Sequence, residues 1–116
     1  MAVQRLRSPS EFRVVYREGR RLPGDAVILY VRPNGLSVSR AGVTTPRGVG
    51  SAVRRNRWRR RLREALRAAQ RGVRGGFDLV LVPRPTTVEV PFTTLSKTVR
   101  GLLEQAGVAP AGAEES

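Results

Sequence analysis

The sequence predicts a small single-domain α-β sandwich of the α+β class, in the order α-β-β-(β)-α-β-α, with helices packed on one sheet. Three observations lead there. The chain has 116 residues, enough for one domain with a thin core. Hydrophobic residues make up 40% of it, too many for a disordered chain. Its apolar positions also change period along the chain, from that of a helix to that of a strand and back.

The first helix is predicted over residues 8–18. Ser8 can cap it, Pro9 suits its first position, and Glu11 completes a capping box. Phe12, Val15 and Tyr16 then share a face, and Gly19 ends the run. Residues 25–35, "DAVILYVRPNG", read as a strand entering a turn. Alternation places Ile28, Tyr30 and Arg32 on one face and Val27, Leu29 and Val31 on the other, which is the buried one. Residues 38–45 form a second strand, expected to pair back on the first as an antiparallel hairpin. "PRGVGS", residues 46–51, breaks it and leads into a basic helix. "FDLVLVPRP", residues 77–85, is a further strand bounded by Gly75-Gly76 and Pro83. A last helix over 92–106 carries Phe92, Leu95, Val99, Leu102 and Leu103 on one face, with a poor N-cap. The domain is expected to span 1–107, with 108–116 a flexible tail.

Charge is the strongest functional signal. There are 22 basic residues against 9 acidic ones, a formal net charge of +13, and Lys97 is the only lysine. The arginine-for-lysine choice is explained by codon usage. The excess of positive charge is not, and it points to a polyanion. Cysteine and histidine are absent, which removes disulfides, thiolate metal sites and the usual neutral-pH proton shuttle. No apolar run approaches the roughly 18 residues of a membrane span, and the N-terminus lacks a signal-peptide core. A cytoplasmic protein with no membrane partner is expected.

Residues 51–67, "SAVRRNRWRRRLREALR", gather eight arginines. At about 100° per residue, Trp58, Leu62, Ala65, Leu66 and Ala69 fall within one arc that must face the sheet. Asn56, Arg60, Arg63 and Arg67 form a second stripe, with Arg59 on its flank towards the apolar arc. Arg54, Arg57 and Arg61 lie on the other side. Glu64 is the only acid between residues 51 and 71, so the usual i±4 relief is missing, and cations crowd the end where the helix dipole opposes them. Such a helix awaits phosphates. Its narrow, alanine-rich apolar face suits packing on a sheet better than lying in a membrane. A DNA-binding architectural protein remains an alternative on charge alone.

The segment "GSAVRRNRWRRRLREALR" resembles the signature of the bacterial ribonuclease P protein subunit. The family pattern, Gly-x-Ala-Val-x-Arg-Asn-Arg followed by spaced basic residues, falls on Gly50, Ala52, Val53, Arg55, Asn56, Arg57, Arg59, Arg60 and Arg63. "SPSEFRVVYREGRR" resembles that family's first helix, and "VILY", "RAGVTTPR" and "FDLVLVPRP" resemble its strands. Two departures stand out. Thr45-Pro46-Arg47-Gly48 has Gly48 where the family has a second basic residue, and Trp58 replaces an aliphatic one.

The resemblance implies a mixed sheet with a left-handed β-α-β crossover, the ribosomal protein S5 domain 2-like fold, against the usual handedness. It also implies the protein subunit of an endoribonuclease that removes the 5′ leader of precursor tRNA, with catalysis in the RNA subunit and its bound Mg²⁺. The expected partners are that RNA subunit and precursor tRNA, with the protein monomeric in the holoenzyme. Arg54, Arg55, Asn56, Arg57, Arg59, Arg60, Arg63 and Arg67 would bind the RNA subunit. Phe12, Tyr16, Ile28, Tyr30 and Arg47 would form the leader cleft. No catalytic residue and no metal ligand is expected in the protein. The residues agree with that division, since Asp25, Asp78 and Glu89 are scattered and a two-metal site needs converging carboxylates. A ribosomal-protein-like structural RNA binder is the alternative reading.

Overall fold

A computed structural model of the chain describes residues 3–45, 50–84 and 90–111. The elements are β1 (Gln4–Arg5), α1 (Pro9–Glu18), β2 (Arg20–Pro23), β3 (Val27–Pro33), β4 (Arg40–Val43), α2 (Ala52–Ala69), β5 (Phe77–Pro83) and α3 (Phe92–Gln105). The five strands form one mixed sheet in the order β1-β4-β5-β3-β2. β4 runs parallel to both β1 and β5, whereas β3 is antiparallel to β5 and β2. The single-sheet α+β architecture and the β4-α2-β5 crossover between parallel strands match expectation.

The expected hairpin does not form. β3 and β4 are separated by β5, and the antiparallel hairpin is β2–β3 instead. The reason lies in the turn at Pro33-Asn34-Gly35. Asn34 does not close a tight turn onto β4. Its backbone N–H donates to Gly76 O at 2.8 Å, and its side-chain amide donates to Asp78 Oδ1 at 2.9 Å and Val38 O at 3.1 Å. Ser39 adds to this lacing: its hydroxyl donates to Arg74 O and accepts from Phe77 N. The loop therefore wraps the start of β5 and admits it between the two strands.

β1 and β2 escape the sequence reading because they carry almost no apolar pattern. β2 buries Leu22 alone, and both β1 residues are exposed. Backbone pairing, not side-chain periodicity, makes them strands.

Register sorts the two sheet faces. Gly42, Val80, Tyr30 and Arg21 form one row across the sheet, flanked by Arg40, Asp78 and Arg32 on one side and by Val82, Ile28 and Pro23 on the other. This is the face that α1 covers, through Val15, which is fully buried, and Phe12. The opposite face carries Val27, Leu29, Val31, Leu79, Leu81, Ala41 and Val43 into the main core beneath α2 and α3. The predicted alternation in β3 is thus correct.

All five residues assigned to the packing arc of α2 are buried: Trp58, Leu62, Ala65, Leu66 and Ala69. On α3, Leu95, Val99, Leu102 and Leu103 are buried, but Phe92 is 41% exposed because it sits at the first turn, beyond the sheet. Pro91 provides no side-chain cap there. Among the described residues, no helix is long and apolar enough to cross a membrane.

The flexible tail expected from residue 108 onward starts too early. Val108 and Ala109 are buried in the main core. Arg100, itself buried, holds this segment by donating from Nη2 to Pro110 O at 2.8 Å, while its Nη1 donates to Ala69 O and Arg71 O at the end of α2. Arg20 and Arg74 add donors to Ala106 O and Gly107 O. Several arginines of this basic chain therefore cap carbonyls rather than wait for a partner. Residues 112–116 lie outside the described residues.

Candidate nucleic-acid interface

α2 begins after Gly50, which has a positive φ of 68°, and Ser51 caps it by accepting from Arg54 N at 3.3 Å. The left-handed glycine turns the chain sharply so that the arginine-rich first turns project from the sheet. Arg54, Asn56, Arg57, Arg60, Arg63 and Arg67 are exposed, and Arg55 and Arg59 are half-buried. Arg55 donates to Gly50 O at 3.0 Å, steadying the first turn. Of these arginines, Arg67 alone has a carboxylate partner among the described residues. That partner is Glu64, at 3.0 Å on the open surface, where such a pair is worth little. Burial, with the neighbouring charges of Arg5 and Arg59, holds the Arg63 guanidinium below its ordinary pKa. Among the described residues, no carboxylate pairs with Arg54, Arg57, Arg60 or Arg63.

Arg59 behaves differently from the stripe. Its Nη1 donates to Thr45 Oγ1 at 3.2 Å and its Nη2 to Asn56 Oδ1 at 2.7 Å. This draws it off the α2 face and over the end of β4. There it meets Arg7, Phe12, Arg13, Tyr16 and Thr44 around an open groove of about 420 Å³. The groove lies between α1 and the end of β4.

Two of the predicted cleft residues, Phe12 and Tyr16, line this groove, and a third, Tyr30, packs against Tyr16 beside it. Tyr16 and Tyr30 meet edge to face, with centroids 4.9 Å apart and an interplanar angle of 89°. Burial raises the Tyr16 phenol pKa, hydrogen bonding with Thr44 opposes the rise, and Tyr30 adds to it. Phe12 lies across Gly42 and packs on Leu6, Val15 and Val80. Ile28 occupies the adjacent row with Val82, half-buried. Arg47 lies outside the described residues, as does most of the Thr45-Pro46-Arg47-Gly48 departure.

The groove's cations, apart from Arg59, were not anticipated. Arg13 could have been found, because it follows Phe12 and flanks Tyr16 on the same turn. Arg7 and Thr44 had no sequence signal, since their positions depend on how α1 docks.

That docking rests on one polar chain. Arg40 grips Asp78 with two parallel hydrogen bonds, Nε to Oδ1 at 2.9 Å and Nη2 to Oδ2 at 2.7 Å. Its remaining Nη1 reaches Glu11 Oε2 at 2.8 Å. Glu11 meanwhile completes the capping box of α1, its other oxygen accepting from Ser8 N at 3.1 Å. The backbone N–H groups of Ser8 and Arg7, then Arg40, lower the Glu11 pKa. For Asp78, burial pushes upward, but the hydrogen bonds from Arg40 and Asn34 and the charges of Arg40 and Arg32 outweigh it and leave the pKa lowered. Asp78 is therefore a structural anchor that ties β5 to β4 and, through Arg40, to α1.

A basic helix beside an aromatic, arginine-rimmed groove on this sheet order now meets a direct comparison. Residues 1–107 match the family model described as Ribonuclease P. The chain belongs to the ribonuclease P protein family. A ribonuclease P protein component from Chloroflexus aurantiacus is 42% identical over 113 residues, covering 97% of this chain and 84% of that one. Another, from Roseiflexus sp., is 40% identical over 105 residues, 90% of this chain and 86% of its own. Among solved structures, the ribonuclease P protein of Thermotoga maritima superposes with a TM-score of 0.77 at 33% identity, over 88% of this chain and 96% of that chain. The Staphylococcus aureus protein gives a TM-score of 0.77 at 19% identity, over 92% and 98%, a likeness of fold. Within the family's architecture, the Arg-Asn-Arg segment at Arg55, Asn56 and Arg57 occupies the exposed opening turns of α2.

Proposed function

We propose that this chain is the protein subunit of a ribonuclease P holoenzyme, acting in the cytoplasm as a monomer bound to the catalytic RNA subunit. The exposed arginines of α2, with Asn56, grip phosphates of that RNA. The groove lined by Phe12 and Tyr16, with Tyr30 and Ile28 on the sheet face beside it, takes the single-stranded 5′ leader of precursor tRNA, with Arg59, Arg7 and Arg13 beside its phosphates and Arg47 as a further contact. Stacking on aromatic faces tolerates any base, which suits leaders of differing sequence.

Cleavage of the leader then falls to the RNA and its Mg²⁺. The protein's donor set supports that division. Among the described residues no three acidic or other ligating side chains converge, and Asp78 is committed to Arg40 and Asn34. Such a set fits Mg²⁺ held by RNA phosphates, with the protein supplying position and charge neutralisation.

The single observation that carries the reading is the continuity of two surfaces. Arg59 links the arginine face of α2 to the aromatic groove through Asn56 on one side and Thr45 on the other. One ligand surface for RNA and one for a single strand thus share a border. Reconstitution tests it: the protein is mixed with a bacterial ribonuclease P RNA and a precursor tRNA at low Mg²⁺. Leader removal should accelerate, and precursor should bind better than mature tRNA. Tight RNA binding with no effect on processing would instead identify a structural RNA binder.

A further inference from the structure

The molecule has a second concavity that borders both surfaces, sharing Arg63 and Arg67 with the α2 face and Arg7 and Phe12 with the aromatic groove. It opens along the free edge of β1, mainly on the α2 side of the sheet, with a volume of about 680 Å³. Its floor is apolar, made by Val3, Ala41, Val43 and Leu66. Arg5 and Arg63 face each other across the rim closely enough for their charges to oppose, and the amide of Gln70 lies in the wall.

This pairing of features is selective. A bare phosphate or a duplex backbone would use the arginines and leave the apolar floor wet. An apolar peptide would use the floor and leave two guanidinium groups desolvated without a partner, which is costly. A nucleotide satisfies both, because its base is a flat apolar face with a polar edge and its phosphate is an anion. Gln70 both donates and accepts, as a base edge requires. The volume lies within the range of small-ligand sites, roughly 300–1,000 Å³. Glu11 and Asp78 hold Arg40, and Glu64 pairs with Arg67 at the rim, so Arg5 and Arg63 have no carboxylate partner among the described residues.

We propose that this edge groove receives one unstacked nucleotide of the RNA subunit, its base on the Val3–Ala41–Leu66 floor and its phosphate between Arg5 and Arg63. The inference rests on the RNA subunit being the partner of α2, and the concavity shares only its Arg7, Phe12 and Val43 border with the leader groove. It adds a site read by shape to a helix face read by charge.

The test uses the full-length, isotope-labelled protein, titrated with adenosine 5′-monophosphate and separately with inorganic phosphate, while amide resonances are followed. The monophosphate should shift Val3, Arg5, Ala41 and Gln70 saturably, and phosphate should shift them far less. Arg5→Ala should weaken the monophosphate by about tenfold, the loss of one charge-assisted contact. Equal responses to the two ligands, or shifts confined to Tyr16 and Tyr30, would overturn the proposal. In a second arm, Gln70→Trp, which fills the groove, should weaken assembly with the ribonuclease P RNA by about tenfold, with an unchanged melting temperature as control. Assembly at wild-type strength by both Gln70→Trp and Arg5→Ala would also overturn it. If the wild-type protein fails to assemble with that RNA at all, the functional reading falls, and the monophosphate titration still reports on the groove.

Discussion

Phe12 of α1 rests against Gly42 of β4 so closely that a β-carbon at position 42 would overlap the edge of its ring. Gly42 has an ordinary strand conformation, so the constraint is space and not backbone freedom. The ring position, and hence one wall of the groove, depends on a missing side chain.

Gly42→Ala should therefore lift Phe12 and tilt α1. Overpacking of this kind costs about 1–3 kcal/mol. The expected result is a lower melting temperature and weaker binding of precursor tRNA, with mature tRNA less affected. Gly42→Ala combined with Phe12→Leu should recover much of the stability, a coupling that a double-mutant cycle would measure. Additive losses would show that the contact is not the cause.

The Arg40–Asp78 pair predicts an acid-side dependence of stability. The pKa of Asp78 is lower in the folded chain than in the unfolded one. Its contribution is complete above the unfolded carboxyl pKa and is lost as pH falls through the folded one. Asp78→Asn should flatten that part of the stability–pH curve, measured by urea unfolding across the acidic range. It should also cost about 3 kcal/mol at neutral pH, because Arg40 keeps its charge and loses its main partner.

Arg60 is exposed and has no carboxylate partner among the described residues. Arg60→Ala should leave the melting temperature unchanged and weaken binding to the RNA subunit. The slope of log K against log salt should fall by about 0.7–0.9, the signature of one lost phosphate contact. An unchanged slope would remove Arg60 from the interface.

Tyr30→Ala removes one ring of the edge-to-face pair and exposes Ile28. A loss of about 1–3 kcal/mol in precursor tRNA binding is expected. Mature tRNA, which lacks the leader, should bind as before. Equal losses would detach the aromatic groove from the leader.

Arg100 joins the ends of α2 and α3 to the final packed segment. Arg100→Met keeps much of the side-chain length and removes the donors to the carbonyls of Ala69, Arg71 and Pro110. A destabilisation of about 2–3 kcal/mol is expected. Faster hydrogen exchange should appear at the Val108 amide, which donates to Leu103 O at 3.0 Å.

The parts of this fold legible in the sequence are those dictated by side-chain periodicity. The alternation through Val27–Arg32 and the arc Trp58–Leu62–Ala65–Leu66–Ala69 both emerge as read, because each buries one face against a continuous core. The strand order was not legible, since the partner of β4 is selected by Asn34 and Ser39, polar residues whose bonds reach 35 to 44 positions ahead. β1 and β2 pair through backbone with little apolar signal. The aromatic members of the groove were visible as types, but Arg7, Arg13 and Thr44 join them only through the docking of α1. Arg59 looked like one more phosphate contact until Thr45 drew it into the groove.

The central position of β5 has a consequence for biosynthesis. β4 gains its main neighbour only when residues 77–83 have emerged, so half the sheet waits on the last third of the chain. During translation, at roughly 5–20 residues per second, α2 leaves the ribosome before the surface beneath it exists. For roughly one to three seconds its underside is open to water. The nascent chain thus passes through an interval in which any nearby polyanion can capture it non-specifically. Substitutions that delay β5 should reduce the yield of active protein more than its final stability.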